Sequence, residues 1–316
     1  MTTPVTGRFA PTPSGRLHLG NLLCALLAYL SARHAGGRFL LRIEVLDAPR
    51  CPKRLCDAAI QDLSWLGITW DEPPLFQSER GEIYQRYFRE LERKGLLYPC
   101  FCTRAQLHAA SAPNRGDENP VYAGICAHLS PEDIAERIRM RRPAIRLRVQ
   151  DETIVVQDCH YGQYSEYMPR DCGDFIICRS DGLFGYQLAV VVDDALSGVN
   201  EIVRGHDILS STPRQIYIQR LLGFDTPSYI HIPLLEDADG RRLAKRDRDM
   251  DLTSLSKRFS REDILGMLAY SAGILEEERP AAMDELISRF DWKNVKKEDI
   301  RLGKTVGVWA AAQRNF

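Results

Sequence analysis

Arg8-Phe9-Ala10-Pro11-Thr12-Pro13-Ser14-Gly15-Arg16-Leu17-His18-Leu19-Gly20-Asn21 is the stretch that decides the fold. Val5 to Ala10 before it leans apolar and is stopped by Pro11 and Pro13, while Leu19 to His34 after it is dense in Leu and Ala. That spacing predicts a strand, a loop and a helix. The two glycines allow close backbone approach, and a helix start offers unpaired N–H groups and a positive dipole end. With His18 able to donate to an oxygen, the turn suits a phosphate; a tight turn with a capping histidine would use the same residues.

Outward from this turn, Phe39 to Ile43 reads as a second strand and Lys53 to Leu66 as a helix, with Leu55, Ala58, Ala59, Leu63 and Leu66 at helical intervals. Glu79 to Gly95 reads as a third helix. Strands alternating with helices predict an α/β fold, a Rossmann-type doubly wound parallel sheet. Tyr98 to Gln150 breaks the alternation with cysteines, loop residues and an arginine-rich run, which predicts an insertion. The alternation resumes from Asp174, with strands at Phe175 to Cys178, Tyr186 to Val192 and Glu201 to Val203, a helix from about Pro213 to Leu222, and a last strand at Tyr229 to Leu235. Asp237 to Asp251 has no apolar period and reads as an exposed loop, and Arg261 to Phe316 as helical pieces. The expected organisation is 1–97 and 174–235 as the two halves of the Rossmann-type domain, 98–173 as an insertion, and 236–316 as a loop with a short helical C-terminal region.

Lys+Arg 42 against Asp+Glu 43 leaves a net charge of -1, so any contact with nucleic acid has to come from local patches. The longest apolar run, Leu22 to Leu30, is far below the roughly 20 residues of a membrane span, and the N-terminus has no signal-like apolar core, which predicts a cytoplasmic protein with no membrane contact. Nine cysteines is an odd number on a chain that can bury a core without staples, which predicts reduced thiols. Nothing in the sequence points to a protein partner.

The opening stretch resembles the first signature of class I aminoacyl-tRNA synthetases in the form found in the glutamyl branch, where an R-F-A-P-S-P-T-G run precedes a HIGH motif. Here the motif reads His18-Leu19-Gly20-Asn21, with Asn21 in place of its second histidine. Leu41-Arg42-Ile43-Glu44-Val45-Leu46-Asp47 is similar to the branch's L-R-I-E-D-T-D, with Val45 in place of an aspartate. Tyr186-Gln187-Leu188-Ala189-Val190-Val191-Val192-Asp193-Asp194, Glu201-Ile202-Val203-Arg204-Gly205 and Ser211-Thr212-Pro213-Arg214-Gln215 follow in the branch's order. Gly240-Arg241-Arg242-Leu243-Ala244-Lys245-Arg246-Asp247 resembles the second signature, KMSKS; Lys245 falls on its catalytic lysine, Arg242 replaces the first lysine and Ala244 the serine.

The resemblance implies that ATP is a substrate bound at His18, Gly20, Asn21 and Lys245 with Mg²⁺, that His18 and Lys245 are catalytic, and that L-glutamate is held by Arg8, Ala10, Thr12, Glu44, Tyr186 and Arg204. The charges agree, since glutamate's two carboxylates and one ammonium call for two cations and one anion. The implied reaction is in-line attack of the α-carboxylate on the α-phosphate, giving glutamyl-adenylate and pyrophosphate.

Cys100, Cys102 and Cys126 lie close together in the insertion, and three thiolates with one further ligand complete a tetrahedral structural zinc site. Tyr122, His108 and His128 are the candidates for the fourth position. Glutamyl-Q enzymes resemble this arrangement, with C-x-C followed by Y-x-x-x-C, which implies Tyr122. Arg137, Arg139, Arg141, Arg142, Arg146 and Arg148 form a basic run that is either a solvated face or a grip on an RNA backbone. The sequence given ends at Phe316 without the helical anticodon-binding domains of full glutamyl-tRNA synthetases. With the cysteine pattern, this resembles glutamyl-Q tRNA(Asp) synthetases and implies glutamate transfer to queuosine in the anticodon loop of tRNA(Asp). A short glutamyl-tRNA synthetase charging a 3′ end, or an inactive RNA-binding module, are the alternative readings.

Overall fold

Strand β1 (Thr6–Phe9) and helix α1 (Leu19–His34) bracket the proline-glycine turn in the computed structural model, which describes residues 4–47, 51–103, 106, 121–237, 240 and 251–302. Leu and Ala surround α1, and from Leu22 to Ala32 all but Cys24 are buried; a helix apolar on every side belongs in a core. β2 (Arg38–Ile43) runs parallel to β1 with Arg38 opposite Thr6, and β3 (Leu75–Phe76), reached through α2 (Lys53–Trp65), runs parallel to β2.

After α3 (Gly81–Arg93) come β4 (Leu97–Cys100), α4 (Pro131–Met140), β5 (Ala144–Leu147), the hairpin β6 (Thr153–Asp158) and β7 (Gly162–Tyr167), β8 (Phe175–Cys178) and α5 (Tyr186–Leu196). Then follow β9 (Glu201–Gly205), α6 (Thr212–Leu222), β10 (Ser228–Ile232), β11 (Leu235–Glu236), α7 (Leu252–Leu255), α8 (Arg261–Ala272), α9 (Met283–Arg289) and β12 (Ile300–Arg301). β9, β10 and β6 are parallel neighbours, and β7 closes that group antiparallel to β6. The two parallel groups meet at β1 and β9, where the Asn200 N–H donates to the Thr6 carbonyl at 3.1 Å and the Thr6 N–H to Asn200 Oδ1 at 2.8 Å. Strand order therefore reverses between β1 and β9, the place where open α/β sheets bind ligands beyond their carboxyl ends.

Two expected strands turn out differently. Tyr186 to Val192 is not a strand but the start of α5, and its residues from Leu188 to Asp194 are all buried. An apolar run enclosed on every side has no exposed face to show a period, so helix and strand look alike. Phe175 to Cys178 is a strand, but as β8 it pairs antiparallel with β5, which pairs antiparallel with β4; it does not continue the parallel sheet. The β6–β7 hairpin, inside the 98–173 stretch, extends the second parallel group through β10. Among the described residues no helix is long and apolar enough to cross a membrane.

Candidate active site

A cavity of about 380 Å³ opens where β1, β9 and the start of α1 converge. Ala10, Thr12, His18, Gly20, Asn21, Glu44, Tyr186 and Arg204 line it, so eight residues singled out in the sequence meet in one place. Arg8 does not line it; its guanidinium is buried behind, against Asp194 at 3.3 Å and the Val203 carbonyl at 3.1 Å. Lys245, with Arg242 and Ala244, lies outside the described residues. Val45 is buried in the core beside α1 and does not face the cavity.

His18 caps α1. Its Nδ1 accepts from the Gly20 N–H at 3.1 Å, while Asn21 Oδ1 accepts from the His18 N–H at 3.3 Å. Asn21, in place of a histidine, thereby completes a reciprocal capping box. Since Nδ1 is an acceptor, the proton of a neutral His18 ring sits on Nε2. The turn is braced from outside: Arg16 pairs with Asp62 at 2.8 Å and bonds Thr253, and the His18 backbone bridges to Asp251, just before α7.

Charges are packed tightly beneath the cavity. Arg42, two residues before Glu44 on the same face of β2, donates to Glu44 Oε1 at 3.2 Å and to Asp194, and Thr12 donates to Glu44 Oε2 at 3.3 Å. Burial opposes the Arg42 charge, but Asp194, Glu44 and Asp193 outweigh it and hold the guanidinium protonated. Burial likewise opposes Asp194, which Arg42 and Arg8 nevertheless keep below the ordinary carboxylate value. Glu44 goes the other way: burial raises its carboxyl despite Arg42 and Arg8. An ammonium group placed at Glu44 would favour its charged form. Burial, with Glu44 nearby, pushes the Tyr186 phenol up to about 12, so it stays a neutral donor. Asp193 anchors α3 and the segment before it, accepting from Arg80 at 2.6 Å, Tyr84 at 2.7 Å and Gln77 at 2.9 Å. Sequence reading passed over Arg42 and Asp194, although both stand inside the quoted motifs; a charged residue set in an apolar run, as in Leu41-Arg42-Ile43 and Val192-Asp193-Asp194-Ala195, was the available signal.

A second, larger cavity of about 920 Å³ adjoins the first, with Asp207 lining both. Arg146, Arg170 and Arg214 line it together with Glu166, Asp171 and Asp174, between the insertion sheet and the start of α6.

Cys100, Cys102 and Cys126 bring their sulfurs within 4.8 Å of one another, and Cys102 and Cys126 stand 3.6 Å apart. The Tyr122 hydroxyl is 3.5 Å from Cys100 Sγ and 3.7 Å from Cys102 Sγ. His128 does not join this group, and His108 lies outside the described residues. Three of the six arginines of the basic run support this knuckle. Arg146 is buried with its guanidinium 3.6 Å over the Tyr122 ring, Arg148 donates to the Ala127 carbonyl and Arg141 to that of Phe101. Arg139 on α4 is exposed and Arg137 half-buried.

The family model for the catalytic domain of class I tRNA synthetases (E and Q) matches residues 4–301. The chain belongs to this family. Among class I synthetases (E and Q), the glutamyl-Q tRNA(Asp) synthetase of Symbiobacterium thermophilum is 47% identical over 94% of this chain and 95% of its own length. That of Nitratidesulfovibrio vulgaris is 42% identical over 90% and 91%. A crystal structure of a glutamate tRNA ligase from Elizabethkingia meningosepticum, in complex with its amino acid, superposes with a TM-score of 0.83 at 27% identity, covering 99% of this chain and 70% of that one. The α/β fold is thus that of the class I (E and Q) catalytic domain.

Proposed function

We propose that the chain uses ATP to activate L-glutamate as glutamyl-adenylate and transfers the glutamate to queuosine in the anticodon loop of tRNA(Asp). The carrying observation is the switch-point cavity that unites a phosphate-type helix start at His18 with Glu44, Tyr186 and Arg204. The names of the relatives at 47% and 42% identity support the acceptor.

In this reading Glu44 and Thr12 receive the ammonium, and Arg204 clamps a carboxylate by the fork geometry of guanidinium. Arg8 adds positive charge from behind the wall, and Ala10 leaves room beside the ligand. His18 donates from Nε2 to an ATP phosphate, Gly20 and Asn21 form the adjoining helix start, and Lys245 meets the transferring phosphate from its loop. ATP would bring Mg²⁺, which neutralises phosphate charge. The α-carboxylate oxygen attacks the α-phosphorus as the bond to pyrophosphate breaks. A hydroxyl of the queuosine ring then attacks the adenylate carbonyl, and AMP leaves as the ester forms. The larger cavity adjoining at Asp207 offers an acceptor nucleoside a way in. The reaction places the enzyme in the cytoplasm with its tRNA.

The insertion fits a structural zinc. Sulfurs at a Zn–S distance of about 2.3 Å in a tetrahedron lie about 3.8 Å apart, close to the 3.6 Å between Cys102 and Cys126. Burial pushes the Cys102 thiol up to about 11, whereas Cys100, although burial opposes it, is held below its ordinary value by Arg146 and Tyr122, so a cation among the sulfurs is what would keep Cys102 a thiolate. Cys100, Cys102, Cys126 and Tyr122 would hold it, and a site closed by four protein ligands organises the knuckle without taking part in the reaction.

Incubation with radiolabelled glutamate, ATP and tRNA(Asp) carrying or lacking queuosine tests the reading. Label should enter only the queuosine-containing tRNA. Equal labelling of both, or preferential charging of tRNA(Glu), would overturn it.

A further inference from the structure

A buried guanidinium needs acceptors for its N–H groups and a counter-charge for its cation. Arg204 finds acceptors in neutral atoms: His231 Nε2 at 3.1 Å from its Nε, Gln215 Oε1 at 2.7 Å and Thr212 Oγ1 at 2.7 Å. Arg8 and Arg42, by contrast, both rest on Asp194. Among the described residues Arg204 makes no ion pair with a carboxylate. Its hydrogen-bonded link to a carboxylate runs through an imidazole, with Asp194 acting on it only at a distance.

His231 Nε2 faces a guanidinium N–H and must accept, which puts the ring proton on Nδ1. Nδ1 lies 2.6 Å from Asp158 Oδ2. That carboxylate is fixed in turn by the backbone N–H groups of His231 at 3.0 Å, His160 at 3.0 Å and Tyr161 at 2.8 Å. The side chains of His231 and Asp158 are both 0% exposed, and neither lines the cavity, so any influence on a ligand passes through Arg204. Asp158 faces the ring from β6, Arg204 from β9, Thr212 from α6, and Tyr229 stacks on it from β10, with His206 nearby. Burial, Arg204 and His206 lower the imidazole against the pull of Asp158, which agrees with a neutral ring.

We propose that Asp158 and His231 are positioning residues for Arg204: the carboxylate fixes the tautomer of His231, and His231 Nε2 holds the guanidinium by its Nε–H. Of the five guanidinium N–H groups, three are then satisfied by neutral acceptors, and two, with the positive charge, are kept for a carboxylate of the amino-acid substrate. The inference rests on the glutamate reading of the cavity.

The test is glutamate-dependent ATP–pyrophosphate exchange with the full chain. His231→Leu removes the acceptor, while His231→Gln supplies one on a side-chain carbonyl. Asp158→Asn necessarily turns an NH₂ toward one of the donors that the carboxylate accepts. His231→Leu and Asp158→Asn should raise the KM for glutamate about tenfold or more with little change in that for ATP, and His231→Gln should recover most of the loss. In wild-type protein, ¹⁵N-histidine NMR should show His231 with its proton on Nδ1 at about pH 6 to 8; this needs no variant to fold. A proton on Nε2, a folded His231→Leu with unchanged KM for glutamate, or parallel rises in both KM values would overturn the inference alone. A wild-type chain without glutamate-dependent exchange would overturn the glutamate reading and this inference together.

Discussion

Arg42 supports the candidate site from behind, because one buried guanidinium bridges Asp194 and Glu44 beneath the cavity floor. Removing Arg42 leaves Glu44 without its ion-pair partner and Asp194 with Arg8 alone, and breaking such a buried cluster costs about 3–5 kcal/mol. Arg42→Met should therefore lower stability by about that amount in urea unfolding and abolish glutamate-dependent exchange. Asp62 offers a different test. Burial pushes its carboxyl up to about 6 despite Arg16, with Asp251 adding to the rise. The folded chain then binds this proton more tightly than the unfolded one. Stability from this group is complete at low pH and is lost as pH rises from 3.8 through about 6. Asp62→Asn should flatten that part of the stability-against-pH curve, and an unchanged slope would assign it to other groups.

Elements were legible where one residue type or one period dominated. Leu19 to His34 ran as a helix in the sequence and is α1 in the structure, because Leu and Ala set both its propensity and its burial. Strand β2 and helix α2 were legible for similar reasons, through the apolar run before Glu44 and the helical spacing from Leu55 to Leu66. Tyr186 to Val192 was misread because a helix enclosed on every side and a buried strand present the same apolar run. The pairing of β8 with β5 was hidden because a strand's partner is set by the surrounding fold and not by its own four residues. Cavity residues showed themselves through their motifs, whereas Asp158 and His231 lie on plain strands outside those motifs. Packing between elements was likewise invisible: a Cβ on Gly266 of α8 would fall 1.7 Å from the Arg279 carbonyl oxygen, which is backbone and cannot swing aside. Gly266→Ala should cost about 1–3 kcal/mol or more in thermal unfolding, although alanine is the better helix former.

At the scale of the whole molecule, the cysteine knuckle forms its own small cluster with Tyr98, Phe101 and Tyr122, apart from the two larger cores around the sheet. Metal removal should therefore reach the knuckle first. Elemental analysis should find one zinc per chain, and Cys102→Ser should lower the melting temperature while leaving glutamate-dependent exchange largely intact. Recognition of RNA is a separate matter, because a net charge of -1 gives no long-range attraction and any grip must be local. Arg146, Arg148 and Arg141 are occupied in holding the knuckle together, so replacing them tests folding more than binding. Of the other three, Arg142 is exposed just beyond α4, and Arg137 and Arg139 stand on α4 itself: that helix has no buried residue, and Ile138 and Met140 beside them are 52% and 71% exposed. The double variant Arg137→Ala, Arg139→Ala should leave amino-acid activation unchanged and raise the tRNA concentration needed for half-maximal glutamylation about threefold to tenfold. It should also reduce the slope of log affinity against log salt by roughly 1 to 2, since each phosphate left without its arginine keeps its own counterions when the tRNA binds. An unchanged salt slope would assign α4 to the solvated face and turn the test to Arg170 and Arg214, the arginines of the larger cavity other than Arg146.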